Sequence, residues 1–216
     1  LKNYSFEVLK LNSFSKPVSI KLQPISEVPK DINYIKFEDG KFTKFWFKMK
    51  MNEYISVVMS VYNEEKYISA AIKSILNQTY PYFEFIIIND GSTDKSESLI
   101  KSFKDERIVY KKIEKVNFSK ALNEGLNIAK YNYIARMDAD DISQPDRFEK
   151  QVKYLVENPD VQVLSSGYAL FKNAKVSHIH KLPENDRDIK EQLSYSGSVC
   201  HAGSIYSKNH ILKFGG

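Results

Sequence analysis

An acidic loop, Asp138-Ala139-Asp140-Asp141, follows an apolar run of the sequence. Carboxylates this close repel each other, so a partly buried loop tolerates them poorly unless a cation offsets their charge. Mg²⁺ or Mn²⁺ suits Asp138 and Asp140, because such a hard cation takes one or two carboxylates and completes its shell with waters and phosphate oxygens. A solvated turn, in which Asp141 or Ser143 merely caps the next helix, is the alternative. The position directly after a predicted strand favours the metal-binding hypothesis.

Another acid, Asp90, stands at the end of the apolar run Phe83–Ile88. A carboxylate there can accept the N3–H of uracil, a donor that cytosine lacks, so uracil is the favoured base. Tyr62 can stack on that base, and its neighbours can approach ribose or phosphate. Simpler explanations are an ordinary turn for Asp90 and a cover over the sheet end for Tyr62. We predict that Asp90 and the segment Ser60-Val61-Tyr62-Asn63 bind a nucleotide.

Two basic residues are candidate partners for diphosphate oxygens. Lys120 lies at a predicted helix start and Arg136 at a strand end beside the acidic loop, and both positions suit an anion. Solvated surface charge is the alternative for Lys120, and an ion pair with Asp138 is the alternative for Arg136. His201 is a candidate contact to phosphate or acceptor, unless it is a packed structural histidine. The histidines and Cys200 lack the spacing of zinc ligands, so zinc is not expected.

Short apolar runs alternate with amphipathic segments from Tyr54 onward, which is typical of repeated βα units and a mainly parallel sheet. Asn63 is expected to cap the first helix, and Asp94 with Glu97 to open the second. Later, a helix is predicted over 184–194 and an extended segment over 199–206. The predicted strands are Ile55–Val61, Phe83–Ile88, Arg107–Lys112, Tyr133–Met137 and Val161–Leu164. Because the carboxyl ends of parallel strands share one edge, the polar clusters after the first, second and fourth strands should converge.

The composition allows one substantial core and an additional segment. The 216 residues include 32 basic and 27 acidic ones, and the net charge of +5 favours phosphate-bearing ligands, nucleic acid or anionic membranes without choosing among them. Cys200 is the only cysteine, so no internal disulfide can form, and a cytoplasmic location fits best. The apolar runs are shorter than the ~20 residues of a membrane-spanning helix, so any membrane contact is expected to be peripheral, at the inner face.

Residues 1–50 differ from the rest, because prolines interrupt aromatic, β-prone stretches and no long helical period is present. We interpret them as an appended segment, followed by one domain over 51–216. The end of this segment, Lys41–Lys50, interleaves lysines with large apolar residues, a composition that also occurs on nucleic-acid and membrane surfaces. An edge strand or docking segment with solvated lysines is the preferred interpretation, and no nucleic acid is expected as a partner.

Four blocks of the sequence resemble the conserved blocks of family 2 glycosyltransferases in order and spacing: Ile55–Asn63, Asn77–Thr79, Ile88–Asp94 and Tyr133–Arg147. The resemblance runs from about Tyr54 to the end of the chain. The combination is highly specific, although each block alone is not. It implies the Rossmann-like α/β GT-A fold with helices on both faces of a mainly parallel sheet, an inverting mechanism and a nucleotide-diphosphate sugar as donor.

The resemblance also implies roles for residues by their position. Ser60, Tyr62 and Asp90 match nucleoside-binding residues. The acidic loop matches the family's Asp-any-Asp metal motif, in which the second acid, here Asp140, is the direct ligand. The segment from Tyr133 to Asp141 is similar to bacterial transferases that build lipooligosaccharide or capsule chains. This similarity implies a UDP-hexose or UDP-N-acetylhexosamine donor and a glycan or lipid-linked acceptor.

Two features depart from the family pattern. Phe118 follows Asn117 where a glycine is common, which is expected to alter the loop on the phosphate side. Family members also continue from a turn like Phe214-Gly215-Gly216 into a Glu-Asp segment that provides the general base. The base is therefore expected beyond Gly216, and the domain over 51–216 is expected to be truncated on its acceptor side.

Two other functions stay open at this point. A non-catalytic module that binds nucleotide sugars would use the same donor residues without the base. A nucleotidyltransferase would also use metal and nucleotide, but it usually needs a glycine- and arginine-rich loop after the first strand. Val61-Tyr62-Asn63-Glu64-Glu65 offers no such loop. The favoured prediction is an inverting, metal-dependent glycosyltransferase.

Overall fold

The computed structural model describes residues 20–23, 37–39, 42–49, 53–172, 175–195 and 197–215. The chain divides into two compact units, Leu1–Asn52 and Glu53–Gly216. No helix among these described ranges is long and apolar enough to cross a membrane.

The first unit contains a three-stranded antiparallel sheet. Its strands are β1 (Ile20–Gln23), β2 (Phe37–Asp39) and β3 (Phe42–Met49), in the order β1-β3-β2. Strand β3 pairs with β2 through its first half and with β1 through its second half. Of the two interpretations of Lys41–Lys50, the edge strand was therefore wrong, because eight residues with β-prone aromatic types are long enough to pair with two strands, and the docking segment stays a prediction. Lys41 and Lys50 themselves lie outside the described residues.

The second unit is built on a six-stranded sheet with a separate hairpin. The strands are β4 (Ile55–Val61), β5 (Phe83–Asp90), β6 (Ile108–Ile113), β7 (Tyr133–Asp138), β8 (Val163–Leu164), the hairpin of β9 (Tyr168–Lys172) and β10 (Lys175–His180), and β11 (Ile205–Ser207). The sheet order is β6-β5-β4-β7-β11-β8. Strands β6, β5, β4 and β7 are parallel, and β11 is antiparallel to both of its neighbours. Every residue of β4 and β5 is buried, as expected for central strands covered on both faces.

Helices cover both faces of this sheet. They are α1 (Ile68–Leu76), α2 (Ser96–Ser102), α3 (Phe118–Ile128), α4 (Arg147–Glu157), α5 (Asp186–Leu193) and α6 (Lys208–Leu212). Alternation along β4 places Val57 and Met59 in a cluster with α1, α2 and α4, and Val58 in a cluster with α3. Helix α3 packs closely, since a Cβ on Gly125 would lie 2.4 Å from Val58 Cγ1. The predicted α/β fold, with a mainly parallel sheet between helices, is confirmed.

The first helix begins later than predicted. Helix α1 begins at Ile68 after the N-cap residue Tyr67, so Asn63 does not cap it. The side-chain oxygen of Asn63 instead accepts a hydrogen bond from the Thr93 backbone N–H at 2.8 Å, and its backbone has a φ of +55°. The local sequence predicted a helix cap because it does not show that the Asn63 side chain bonds to a loop 30 residues away.

Two further boundaries differ from the prediction. Helix α2 begins at Ser96, and Asp94 forms no capping box with Glu97, because its carboxylate accepts bonds from the N–H groups of Ser96 and Glu65. The predicted extended segment 199–206 is largely wrong, since a turn occupies 201–203 and only its end belongs to β11. At Asp94, the bond from the Glu65 N–H comes from a distant part of the chain that the local sequence does not reveal.

Candidate functional site

The carboxyl ends of β4, β5 and β7 lie side by side at one edge of the sheet. In the register, Ser60 at the end of β4 stands between Ile88 of β5 and Asp138 of β7. The polar clusters that were predicted to converge are therefore spatial neighbours: Ser60-Val61-Tyr62-Asn63, Asn89-Asp90-Gly91-Ser92 and the acidic loop. Parallel pairing, which aligns the strand ends, produces this arrangement.

The loops after β4 and β5 are joined by bonds between side chains and backbone. Ser92 Oγ accepts from the Asn63 N–H at 3.1 Å, and Ser96 Oγ accepts from the Glu64 N–H at 2.8 Å. The Asn63 side chain contributes the bond from Thr93 described above. Ser92 belongs to the polar cluster predicted after the second strand, but its bond to Asn63 was not foreseen, and Ser96 was missed because it resembles an ordinary turn residue. The contact of Asn63 with ribose or phosphate stays a prediction, and its observed role is to hold the two loops together.

The carboxylate of Asp90 is 1% exposed and has two hydrogen-bond partners among the described residues. Its Oδ2 accepts from Lys115 Nζ at 2.7 Å, and its Oδ1 accepts from the Val116 N–H at 2.7 Å. The Lys115 ammonium also lies 3.6 Å from the centroid of the Tyr62 ring, and Tyr62 is 44% exposed. Asp90, Lys115 and Tyr62 therefore form one cluster, which we call the Asp90 cluster.

Lys115 was missed in the sequence. It lies between β6 and α3, 25 residues after Asp90, so no local spacing links the two. The sequence held one signal for this contact. Lys115 is a basic residue that follows β6, and the carboxyl end of β6 lies at the same edge of the sheet as the carboxyl end of β5. The glycine after Asp90 permits the contact, because Gly91 has a φ of +71° and a Cβ there would lie 3.0 Å from the Lys115 backbone N.

Arg136 lies beside the acidic loop with 3% of its surface exposed. Its Nη2 donates to Asp138 Oδ1, and its Nη1 lies 2.7 Å from His201 Nδ1. The ring of Phe118 covers the guanidinium, with 5.0 Å between the ring centroid and Cζ. Arg136 is thus a partner of Asp138, which is the alternative that the sequence left open. A contact with diphosphate would require Arg136 to leave this pair.

Four carboxyl groups influence one another around the acidic loop. Burial raises the pKa of Asp141, and the negative charges of Asp138 and Asp140 raise it further. The pKa of Glu64, in the loop after β4, is raised first by burial and then by Asp140. Glu64 therefore belongs to the same negative field as the acidic loop, although 76 residues separate it from Asp140 in the sequence.

These carboxylates fit a hard divalent cation. They offer oxygen ligands with surplus negative charge, and Arg136 pairs with one of them. In the part of the chain that the structure describes, no group of three or more His, Cys, Asp or Glu side chains could hold a metal ion. The protein would therefore supply one or two ligands, as is common where Mg²⁺ also binds substrate phosphates. Asp140, which is exposed, and the second oxygen of Asp138 are the candidates.

Lys120 lies on the first turn of α3, and its backbone N–H is capped by the Asn117 side chain at 2.9 Å. Its side chain lines a shallow cavity of about 350 Å³, together with residues at the end of β6 and on α3. Between the Lys120 ammonium and the acidic loop, no contact is recorded among the described residues. The predicted diphosphate contact of Lys120 therefore stays a prediction.

Helix α4 fixes the turn that carries His201. Arg147 donates to the carbonyl oxygens of Ala202 at 2.7 Å and of Arg136 at 3.1 Å, and Gln151 donates to the carbonyl oxygen of Gly203 at 2.7 Å. Burial lowers the pKa of Arg147 to about 10. These two polar residues, one helical turn apart, were missed because only the apolar face of the helix was considered. Through these bonds, Arg147 and Gln151 hold the turn that carries His201 close to strand β7, which leads into the acidic loop.

The family model for glycosyl transferase family 2 matches residues 56–212. The chain belongs to glycosyltransferase family 2. The match extends from β4 to the end of α6 and includes both the Asp90 cluster and the acidic loop. The family predicted from the sequence blocks is therefore confirmed.

The O-antigen biosynthesis glycosyltransferase WbnJ of Escherichia coli is similar in sequence to this family 2 chain. The two are 36% identical over 169 residues, which is 76% of this chain and 66% of WbnJ. The chain therefore spans slightly less than two thirds of the length of this relative.

Two solved glycosyltransferase structures share the fold of the second unit. TarS of S. aureus, in complex with UDP-GlcNAc, has a TM-score of 0.60 and 21% identity, over 74% of this chain and 47% of that one. The mannosyltransferase PcManGT from Pyrobaculum calidifontis, in complex with GDP-Man and Mn²⁺, has a TM-score of 0.58 and 19% identity, over 88% of this chain and 51% of that one. At these identities the likeness shows the fold alone, and it confirms the predicted GT-A fold.

Proposed function

We propose that the chain provides the donor-binding part of a metal-dependent glycosyltransferase that uses a UDP-sugar. The observation that carries this proposal is that the Asp90 cluster and the acidic loop meet at one sheet edge. The first group has the chemistry to hold a base, and the second has the chemistry to hold a cation and a diphosphate. A nucleotide sugar contains both parts in one molecule, which makes it the ligand that fits such an edge best.

The base would bind at the Asp90 cluster. Tyr62 would stack on the ring, and Asp90 would accept the N3–H of uracil. The end of β4, with Ser60 and Val61, would lie along the ribose. Asn63 would hold the loop after β4 to the loop after β5. Because these residues are anchored on a buried parallel sheet, little ordering would be needed when the nucleotide binds.

The diphosphate would bind at the acidic loop. Asp140 would hold Mn²⁺ or Mg²⁺ directly, and Asp138 would offer its second oxygen while Arg136 holds the first. When bound, such a cation supplies positive charge where negative charge develops on the leaving diphosphate. Arg136 would keep Asp138 oriented, and Lys120 is a secondary candidate for a phosphate contact. The Mn²⁺ in the PcManGT complex supports this assignment.

The proposed reaction is a single displacement that inverts the anomeric carbon. The acceptor hydroxyl oxygen forms a bond to this carbon, and the bond from the carbon to the diphosphate oxygen breaks, so that UDP leaves. The transition state resembles an oxocarbenium ion. The hydroxyl proton passes to a general base, for which a carboxylate after Gly216 stays the prediction.

We further propose a hexose or N-acetylhexosamine as the transferred sugar and a glycan or lipid-linked acceptor in cell-surface polysaccharide synthesis. The part of WbnJ in O-antigen biosynthesis and the UDP-GlcNAc bound to TarS support this choice. A cytoplasmic location with peripheral contact at the inner membrane face would bring the enzyme to such an acceptor. Residues 1–50 would form a segment appended to the GT-A domain over 51–216.

Thermal unfolding with a panel of nucleotide sugars tests the proposed donor. With Mn²⁺ present, UDP-hexoses or UDP-N-acetylhexosamines should raise the Tm, and CMP-linked sugars should not. The reverse result would remove the role given to Asp90. Release of UDP from the stabilising sugar, measured over hours, would then separate an enzyme from a non-catalytic binding module, which would bind the sugar nucleotide without releasing UDP.

A further inference from the structure

The hairpin of β9 and β10 lies outside the core of the second unit. It forms a two-stranded sheet of its own, and no described residue of either strand belongs to the two apolar clusters that pack against the six-stranded sheet. A two-stranded hairpin is marginally stable in water unless an apolar face is covered. The side chains that this hairpin exposes therefore indicate what covers it.

A β-bulge collects the apolar residues of the hairpin on one face. The register pairs Val176 with Phe171 and, beyond the bulge, Ile179 with Ala169. Paired residues share a face, and so do residues two apart on one strand, so these four lie on the same side. Without the extra residue at the bulge, Val176 and Ile179 would point to opposite faces. We call Ala169, Phe171, Val176 and Ile179 the apolar hairpin face. The exposed fractions of Phe171, Val176 and Ile179 are 54%, 63% and 65%.

The opposite face of the hairpin is more polar. The Tyr168 ring stacks on His180 with 4.5 Å between the ring centroids, and the His178 ring lies 4.3 Å from His180. Leu170 is the apolar residue on this side. The hairpin is therefore amphipathic, with one apolar face and one face of polar rings, as is typical of elements that lie at a membrane surface.

The charges around the apolar hairpin face are all of one sign. Residues 161–183 contain the lysines Lys172, Lys175 and Lys181 and no acidic residue. Lys175 and Lys181 are exposed, and such side chains can lay their apolar stems along a lipid surface while the ammonium groups stay at the headgroups. Anionic lipids complement this charge, whereas a second copy of the hairpin would bring like charges together.

The hairpin leaves the sheet at the edge that carries the acidic loop. Strand β8 runs in the same direction as β7, because both are antiparallel to β11, so Leu164 and Asp138 end their strands at the same edge. Just before the hairpin, the Ser166 N–H donates to the carbonyl oxygen of Gly203 at 3.3 Å, two residues after His201. The turn beside the acidic loop therefore anchors the start of the hairpin.

We propose that the hairpin docks this enzyme on a membrane, with the apolar hairpin face inserted among the headgroups of anionic phospholipids. The inference goes beyond donor binding, and it rests on the proposed function only for the lipid-linked acceptor. Docking through this hairpin brings the sheet edge with the acidic loop close to the lipid surface. An acceptor held in the membrane then meets the donor sugar at that edge.

Cosedimentation with lipid vesicles tests this inference, without nucleotide or metal. The chain should bind vesicles of phosphatidylcholine with phosphatidylglycerol more tightly than vesicles of phosphatidylcholine alone, and added salt should weaken this binding. Phe171→Ser should lower the partition coefficient by about tenfold or more, because a buried phenyl ring is lost. Lys175→Gln should lower it by about fivefold, the effect of one cation near an anionic surface.

Tyr154 provides the matched control. It is an aromatic residue with 45% exposure near the end of α4, which leads back to the amino end of β8 and so to the opposite edge of the sheet. Tyr154→Ser should bind the vesicles like the parent chain. Thermal unfolding reports the folding of each variant.

A second measurement covers the case in which Phe171→Ser does not fold. Trp46 is the only tryptophan of the chain, so a tryptophan introduced at another position adds a distinct fluorescence signal. Phe171→Trp keeps an aromatic ring, and brominated phospholipids should quench its added fluorescence. Tyr154→Trp should show no such quenching.

The inference is wrong if the parent chain does not bind the anionic vesicles at low salt, or if Phe171→Ser binds them like the parent. Equal quenching of Phe171→Trp and Tyr154→Trp would also overturn it. A parent dimer that Phe171→Ser dissociates, without any vesicle binding, would assign the apolar hairpin face to a second copy instead. Failure here leaves UDP binding intact, whereas failure of the proposed function abolishes UDP binding and leaves vesicle binding unchanged.

Discussion

Arg136 and Asp138 form an ion pair across the boundary between the protein interior and its surface, with side chains 4% and 30% exposed. The guanidinium is fixed by His201 and the Phe118 ring, so it holds one oxygen of the carboxylate in a set position. Removing one partner of a largely buried pair is costly, because it leaves a charge uncompensated. The pair therefore orients the first acid of the acidic loop.

Arg136→Met is expected to weaken Mn²⁺-dependent UDP binding by about tenfold or more. Groups that orient a metal ligand typically change metal affinity by this amount when they are removed. Calorimetric titration of UDP at fixed Mn²⁺ measures the effect. Arg107→Met is the matched control, since Arg107 pairs with Asp105 at 2.8 Å at the amino end of β6. If the two variants bind UDP equally well, the Arg136 pair has no part in donor binding.

Tyr62→Leu is expected to weaken UDP binding by about tenfold. Stacking of a base on an aromatic side chain is worth about 1–3 kcal/mol, and leucine keeps the apolar volume without the ring face. The comparison variant is Tyr67→Leu, because Tyr67 is 43% exposed, almost the same as Tyr62, and lies in the same connection between β4 and α1. A loss of affinity in both variants, or in neither, would contradict the assignment of Tyr62 to the base.

Gly125→Ala is expected to lower the free energy of unfolding by about 1 kcal/mol or more. The new Cβ would lie 2.4 Å from Val58 Cγ1, and such overpacking costs about 1–3 kcal/mol, more than the ~1 kcal/mol that alanine gains in a helix. Urea unfolding measures the change. Gly197→Ala, whose Cβ would meet nothing within 4 Å, should be nearly neutral. A Gly125→Ala variant as stable as the parent would show that α3 can move off the sheet.

The parallel strands of the second unit could be predicted well from the sequence, whereas the β9–β10 hairpin, β11 and the loops could not. Ile55–Val61 was predicted with the observed bounds, because a fully buried strand is a continuous apolar run between polar residues. The start of α1 was placed four residues early, because the N-cap is Tyr67 and the Asn63 side chain bonds to a distant loop instead of the helix. The two-sided pairing of β3 also depends on chain partners that no local pattern reveals.

The candidate site was predictable in outline, because parallel strands bring their carboxyl ends together whatever the loops do. Its detailed contacts were not predictable. Lys115 reaches Asp90 across 25 residues, and Arg147 reaches Ala202 across 55. Both contacts follow from tertiary packing, so the sequence contains residues of the right type but no spacing that assigns their partners.

The metal dependence of UDP binding tests the central claim most directly. Calorimetric titration of UDP should show binding with Mn²⁺ and a loss of at least tenfold when EDTA removes the ion, because the acidic loop would hold the diphosphate through the cation. Asp140→Ala should bind UDP with Mn²⁺ as weakly as the parent does with EDTA, while Asp186→Ala, which removes an exposed acid on α5, should bind like the parent. Equal affinity of Asp140→Ala and the parent chain in Mn²⁺ would contradict the account.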